Sequence, residues 1–349
     1  MLPEQGRKHL RRIGTRALAL LAVGAVSLAA GGASGEAPSG RIVFVRFVRG
    51  EQYELFKVQA DGTGLVRLTH SRMYDEAPQW SPEGRRLLAL ANGRLVLRSV
   101  SGRLLRRLPA AGFEAHWSPD GRLIAYLVGR CPDPTGKSDD ACADLWVVRP
   151  DGSGRRRLAA EAVDLTVVAR PYGWAPDGRR LVYMRFAARG GLAIVGARDG
   201  RTRILPRTAP AAGPSWSPDG RWIAFSRQRG PFLGSDLYLV TPDGTSLHPI
   251  ARGGRDVSRG TWSPDGRHIA YFRDVARVEG GGRWAVVVAD RDGSRPRRLA
   301  IATDNSVLLW SPDSSRVLWS TFFNRLMLAR ADGRGRPTLL TTGETPDWG

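Results

Sequence analysis

Six times along this chain a Trp opens nearly the same five-residue phrase: WSPEG at Trp80, WSPDG at Trp117, WAPDG at Trp174, WSPDG at Trp216 and Trp262, and WSPDS at Trp310. A seventh Trp, Trp348 in ETPDWG, echoes EAPQW at residues 76–80. Successive Trp residues lie 37, 57, 42, 46, 48 and 38 positions apart, a spacing that marks a repeat architecture. The phrase describes a tight turn: Pro presets φ, Asp bonds to nearby backbone, and Gly takes a conformation that other residues avoid. The Trp before it is large enough to fill the space between neighbouring sheets. Equivalent copies at every turn argue for packing, so Trp80, Trp117, Trp174, Trp216, Trp262, Trp310 and Trp348 are read as structural.

The rest of each unit has a strand rhythm. A short β-rich run follows each phrase, as in RLLAL at 86, RLIAY at 122, RWIAF at 221 and RVLWS at 316. RIVFV at 41 is the same element with no Trp phrase before it. A second run comes next (ELFKV at 54, DLWVV at 144, DLYLV at 236), then a Gly-centred turn (ADG at 60, PDG at 242, RDG at 291), then a last run such as VRLT at 66. With the segment that ends in Trp, each unit holds four short strands, and no amphipathic helix separates them. Four-stranded units repeated radially make a β-propeller. The N-terminal segment supplies three strands and lacks the inner Trp strand, which TPDW at the C-terminus supplies. The chain is therefore predicted to be all-β: a seven-bladed propeller over residues 41–349, closed by pairing of its N- and C-terminal strands, with six blades as the alternative. Hydrophobic content of 42% and charged content of 25% exclude a largely disordered chain and a polytopic membrane protein.

The first 35 residues have a different character. Arg7, Lys8, Arg11, Arg12 and Arg16 precede an uncharged stretch, ALALLAVGAVSLAA, over Ala17–Ala30, and small residues follow up to Gly35. That order is a secretory signal peptide, predicted over 1–35. Its apolar run is shorter than the roughly 20 residues of a membrane span, so no span is expected after cleavage. The mature protein is expected to be periplasmic, on the cell surface or secreted. Export suits the two cysteines: Cys131 and Cys142 bracket a polar loop, and in an oxidising compartment they are expected to pair as a disulfide.

The formal charge is +20, and all but three of the 53 basic residues are Arg. Such a skew, beside abundant Ala and Gly, is what a GC-rich genome produces. A basic exterior still favours anionic neighbours, so an acidic envelope polymer is one conceivable partner. Arg106-Arg107, Arg155 to Arg157 and Arg297-Arg298 fall on expected outermost strands, where charge guards an exposed sheet edge. Nucleic acid is not expected as a partner, because the charges are spread around the rim of an exported protein.

The WSPDG-R-[LIVW]-[IA]-[AFY] phrase resembles the TolB-type propeller repeat of bacterial envelope proteins, a repeat also found in propellers attached to serine peptidases. The resemblance covers roughly residues 41–349 and implies a propeller with a binding habit. It also brings departures. TolB carries an α/β domain before a six-bladed propeller, whereas here the propeller follows the signal peptide directly and counts to seven.

Motifs of catalysis are sparse. No GxSxG elbow, P-loop or helix-opening GxGxxG is present, and the chain is read as a non-enzyme without cofactor or metal. Of the five His residues, only His70 and His116 are placed to approach the axis; His248 is assigned to an outer strand and His268 to the base of a second strand. The two Gly turns of each blade should share one face, leaving longer connections on the other, where binding concentrates on a rigid scaffold. Those connections are the Cys131–Cys142 loop, AEAVDLTVVARPY before Trp174, QRGPFLGS at 228 and DVARVEGGG at 274. The start of each inner strand lies there too, and Glu76, Phe113, Glu114, Arg170, Tyr172, Arg259 and Glu344 are the candidate ligand-binding residues. Mixed charge with two aromatics suits an envelope or secreted protein or peptide, held by a monomer. A metal-assisted polysaccharide lyase acting in the axial channel and a binder of an anionic polymer are the alternatives.

Overall fold

A computed structural model describes residues 40–48, 52–70, 74–129, 142–164, 171–185, 190–230, 234–253, 256–278, 281–303, 307–321 and 324–349. They form seven four-stranded antiparallel sheets arranged as the blades of a propeller. Blade 1 combines β1 (Arg41–Val48), β2 (Gln52–Gln59) and β3 (Val66–Arg67) with the last strand of the chain. Blade 2 holds β4 (Asp75–Trp80), β5 (Arg86–Ala91), β6 (Arg94–Ser99) and β7 (Leu104–Ala111). Blade 3 holds β8 (Phe113–Trp117), β9 (Ile124–Gly129), β10 (Cys142–Val148) and β11 (Arg156–Asp164). Blade 4 holds β12 (Tyr172–Trp174), β13 (Arg180–Met184), β14 (Leu192–Gly196) and β15 (Thr202–Ile204). Blade 5 holds β16 (Ala211–Trp216), β17 (Ile223–Gln228), β18 (Ser235–Val240) and β19 (Leu247–Ala251). Blade 6 holds β20 (Val257–Trp262), β21 (His268–Val278), β22 (Gly281–Asp290) and β23 (Arg297–Ala302). Blade 7 holds β24 (Leu308–Trp310), β25 (Arg316–Ser320), β26 (Arg325–Arg330) and β27 (Thr338–Thr342), and β28 (Glu344–Trp348) returns to blade 1.

The ring closes as the strand count requires. β28 pairs antiparallel with β1, setting Ile42 opposite Trp348 and Val43 opposite Asp347. The backbones of Arg41 and Gly349 exchange hydrogen bonds at the end of the pair. Asp347 also reaches the next blade, where its Oδ2 accepts the Trp80 N–H at 2.7 Å.

The core lies between blades rather than within them. Val43, Val45 and Leu55 of blade 1 pack with Trp80, Leu87 and Ala89 of blade 2. Leu127 and Leu145 of blade 3 pack with Trp174 and Leu181 of blade 4. The last interface joins Leu309, Leu318 and Leu328 of blade 7 to Ile42, Phe44 and Trp348 of blade 1. The repeated Trp residues are all buried. In three interfaces the indole N–H donates to a carbonyl of the preceding blade: Trp174 to His116 at 3.2 Å, Trp262 to Ser215 at 3.2 Å and Trp310 to Thr261 at 3.1 Å. Six residues after one Trp, the side chain covers the next blade's Trp: Arg86 lies over Trp117, Arg180 over Trp216, and His268 stacks on Trp310.

The phrase after each Trp is a hydrogen-bonded turn. In blade 5, Ser217 Oγ donates to Asp219 Oδ1 at 2.5 Å and accepts the Trp222 N–H at 2.9 Å. Asp219 Oδ1 also accepts the Arg221 N–H at 3.0 Å, and Gly220 sits at φ 69°. Burial would raise the Asp219 carboxyl, but its hydrogen bonds from Ser217 and Arg221 outweigh that and hold it below the usual range. The same Ser–Asp pair recurs at Ser118–Asp120, Ser263–Asp265 and Ser311–Asp313. Acidic residues at the start of the third strands serve a second repeated contact. Buried Glu54 pairs with Arg67 at 3.0 Å and buried Asp144 with Arg157 at 3.3 Å, tying the outer strand to its neighbour.

Two connections differ from their expected form. DVARVEGGG is not a loop over its whole length, because β21 and β22 continue pairing outward to Val278 opposite Gly281. Part of AEAVDLTVVARPY is likewise strand, since β11 runs to Asp164. Cys131 and the signal segment lie outside the described residues, and Cys142 opens β10 with its side chain undescribed. No helix among the described residues is long and apolar enough to cross a membrane.

Ser217→Ala and Ser263→Ala should each destabilise the protein by about 0.5–1.5 kcal/mol, the net worth of a hydrogen bond to a partly buried N–H. Urea denaturation midpoints at constant m-value would check this, and unchanged midpoints would show that the turn does not depend on its Ser.

Candidate functional site

Antiparallel order fixes the two faces of the propeller. The Trp turn and the third-to-fourth turn of each blade leave one face; the second-to-third and blade-to-blade connections leave the other. The inner strands β4, β8, β12, β16, β20, β24 and β28 face the axis, and their first residues meet at the mouth on this second face.

Most inner strands share an irregularity there. Pairing shifts register between Glu76 and Gln79, Phe113 and His116, Ala212 and Ser215, and Ser258 and Thr261, and opposite β28 between Val43 and Val45. Three residues before the Trp the chain enters the left-handed region, at Ala77 (φ 46°), Glu114 (φ 49°), Gly213 (φ 57°) and Thr345 (φ 43°). These are β-bulges, which increase local twist and re-aim side chains. Only one of the four is Gly, and a branched Thr at positive φ is costly, so backbone strain gathers at the mouth.

The bulges sort the candidate residues into two sets. Glu76 and Glu344 occupy the same repeat position in neighbouring blades and are half-buried. Desolvation pushes both carboxyls above the usual range; for Glu344 the Asn324 amide, which donates to Oε1, works against that and the Glu76 charge adds to it. They form a carboxylate pair at the rim.

The second set is deeper. Glu114 and His116 are each 5% exposed. Glu114 Oε2 stands 3.5 Å from His116 Nε2, and His116 Nδ1 contacts the Gln79 amide of blade 2. The Tyr172 ring lies edge-on to the imidazole, with centroids 5.3 Å apart. Tyr172 is 2% exposed, and its hydroxyl donates to the carbonyls of Glu114 and Ala125. Burial, aided by the Glu114 charge, pushes that hydroxyl well above its ordinary range. Tyr172 is thus a core residue bracing the mouth, not a side chain at its surface. Phe113 is half-buried between the cores of blades 2–3 and 3–4. Arg170 lies outside the described residues, and Arg259 is placed on β20 with its side chain undescribed.

Asn324, which donates to Glu344 at the mouth, and Gln79 and Asp347, toward the other end of their inner strands, were not singled out from the sequence. Gln79, His116 and Asp347 all directly precede a Trp, a position held elsewhere by Gly, Ser, Thr or Leu, and that was the available signal. His70 lies exposed after β3, with Nδ1 3.0 Å from the Thr69 carbonyl. His248 is on the outer strand β19 and His268 opens β21. Among the described residues, no group of three or more His, Cys, Asp or Glu is arranged to hold a metal ion.

Comparison with known proteins agrees with the propeller fold. The family model described as the TolB beta propeller domain matches residues 114–349. An uncharacterized protein of Agrobacterium fabrum is 28% identical over 185 residues, covering 50% of this chain and 57% of that protein. The Tol-Pal system protein TolB of Anaeromyxobacter dehalogenans (strain 2CP-C) is 34% identical over 133 residues, covering 36% of this chain and 28% of TolB. The chain therefore spans about half or less of these relatives' length. A solved puromycin hydrolase mutant complexed with PGG superposes with a TM-score of 0.64 at 16% identity, covering 92% of this chain and 53% of the hydrolase. At that identity the likeness is one of fold.

The carboxylate pair has a pH signature. A carboxyl held above its unfolded value contributes stability that is present at low pH and lost as pH rises through the raised value. Glu76→Gln and Glu344→Gln should therefore raise the Tm at neutral pH and leave it nearly unchanged below the ordinary carboxylate range. Equal effects at both pH values would show that the two carboxyls are not strained by burial.

Proposed function

The chain belongs to the TolB β-propeller family, and from that premise we propose that it is an exported, non-enzymatic scaffold that binds a protein or peptide at its long-loop mouth. The observation that carries the reading is the carboxylate pair Glu76–Glu344, half-buried where two inner strands open. Desolvated acids on a rigid ring suit a basic side chain or an N-terminal amine of a ligand, because a cation there relieves both burial and mutual repulsion. Phe113 opens the inner strand of blade 3 and is half-buried, and its uncovered part would supply apolar contact of the kind found at binding hot spots. The Glu114–His116–Gln79 cluster contributes rigidity, since its groups are buried and turned largely toward one another.

Export forms part of the same proposal and rests on the basic, apolar and small-residue order of residues 7–35. The direct test is cross-linked capture from an envelope fraction with the mature chain as bait. One saturable protein partner, lost with Glu76→Ala and Glu344→Ala, is the expected result. Capture that is indifferent to both substitutions would remove the mouth from consideration.

A further inference from the structure

The tight-turn face, opposite the mouth, carries a second concavity. It lies on blade 4 against blade 5 and has a volume of about 480 Å³. Five arginines line it, Arg179, Arg180, Arg198, Arg201 and Arg203, against one carboxylate, Asp199; Gly196 and the buried Ile194 complete the lining. We propose that this groove binds a ligand carrying two or more phosphate groups. The inference goes beyond the mouth reading and does not depend on it.

Two of these guanidiniums, those of Arg180 and Arg203, are held in place before any ligand arrives. Arg180 pairs with Asp177 at 2.9 Å and lies over the Trp216 ring of blade 5 at 5.2 Å. Arg203 donates to the Pro242 carbonyl of blade 5, while Arg201 is exposed and stands 3.7 Å from Asp199. From blade 3, Arg156 donates to the carbonyls of Ala197 and Arg198, fixing the turn that presents Arg198. Each anchored guanidinium spends one or two of its five N–H donors. Arg179 and Arg198 are exposed and have no side-chain partner among the described residues.

The ligand class follows from charge density. A guanidinium pairs two oxygens of a phosphate at once, and a phosphomonoester brings roughly −1.5 to −2 charges in the space of one group. Carboxylates would need more room to balance the same lining. The high arginine content of the whole chain does not account for the feature, because what distinguishes it is convergence: both Gly turns of one blade and its outer strand direct guanidiniums into one concavity.

Titration calorimetry of the mature chain with sodium tripolyphosphate at low salt tests this. Saturable binding is expected, weakened about tenfold or more in the double variant Arg179→Ala/Arg198→Ala, as loss of charge-assisted hydrogen bonds implies. The control Arg334→Ala/Arg336→Ala removes the same charge from exposed positions on blade 7 and should leave the affinity nearly unchanged. Unchanged melting temperatures would confirm that both variants fold. Sedimentation with cardiolipin vesicles, whose headgroup carries two phosphates, separates the sources. Dependence on Arg179 and Arg198 with tripolyphosphate alone assigns a soluble phosphoester; the same dependence with vesicles alone assigns a lipid headgroup. Equal losses in the two double variants, or no saturable binding to either probe, would overturn the proposal.

Discussion

A four-stranded blade has two faces and cannot cover either by itself. Everything in this protein depends on that constraint. Each sheet buries its faces against its neighbours, so the cores are shared between blades, and the last face can be covered only if the ring closes. The pairing of β28 with β1 meets this requirement by building one blade from both ends of the chain. Trp348 and Asp347 then act across the join, Trp348 in the core with blade 7 and Asp347 on the Trp80 amide of blade 2. The indole bonds from Trp174, Trp262 and Trp310 to preceding blades repeat the same logic of attachment around the ring.

Rigidity of this kind lets the two faces diverge. On one face the Ser–Asp–Gly turns are nearly identical, because each has the same task of reversing the chain beside a Trp. On the other, the inner strands bulge before they reach the axis, and their first residues vary in charge and size. Strain at Ala77, Glu114 and Thr345 is tolerable because the surrounding ring holds these residues on every side. The mouth thus has a fixed frame with variable chemistry, which suits recognition. The arginine groove shows that the repetitive face is not featureless either, since WAPDG in blade 4 has Ala175 where other turns have Ser, and Asp177 engages Arg180 instead.

Much of the fold was legible in the sequence because its determinants are periodic and local. Seven Trp residues, their turns and the strand missing from the N-terminal unit specify blade number and closure without reference to distant contacts. The extended β21–β22 pair was not legible, since VEGGG reads as turn chemistry while the pairing that continues the strands is nonlocal. The mouth was legible only in part. Side-chain direction along a strand alternates with period two, but a bulge three residues before the Trp breaks the alternation. In β12, which pairs regularly, counting back two from Trp174 places Tyr172 on the same buried face as that Trp, so its core position follows from the period and its choice as a mouth residue overlooked it. Counting back from Trp80 and Trp348 locates Glu76 and Glu344, which lie at equivalent positions. The groove on blade 4 was hidden for another reason: among fifty arginines, five that converge in space carry no distinguishing mark in the sequence.

The central claim is that the ring is one cooperative unit held by its shared blade, and native-state hydrogen exchange tests it most directly. If closure sustains the fold, amides of β1 and β28 should open with the same free energy as those of β17 in blade 5, through global unfolding. Rapid exchange confined to β28, with the other blades fully protected, would contradict it and show that the propeller stands without its join.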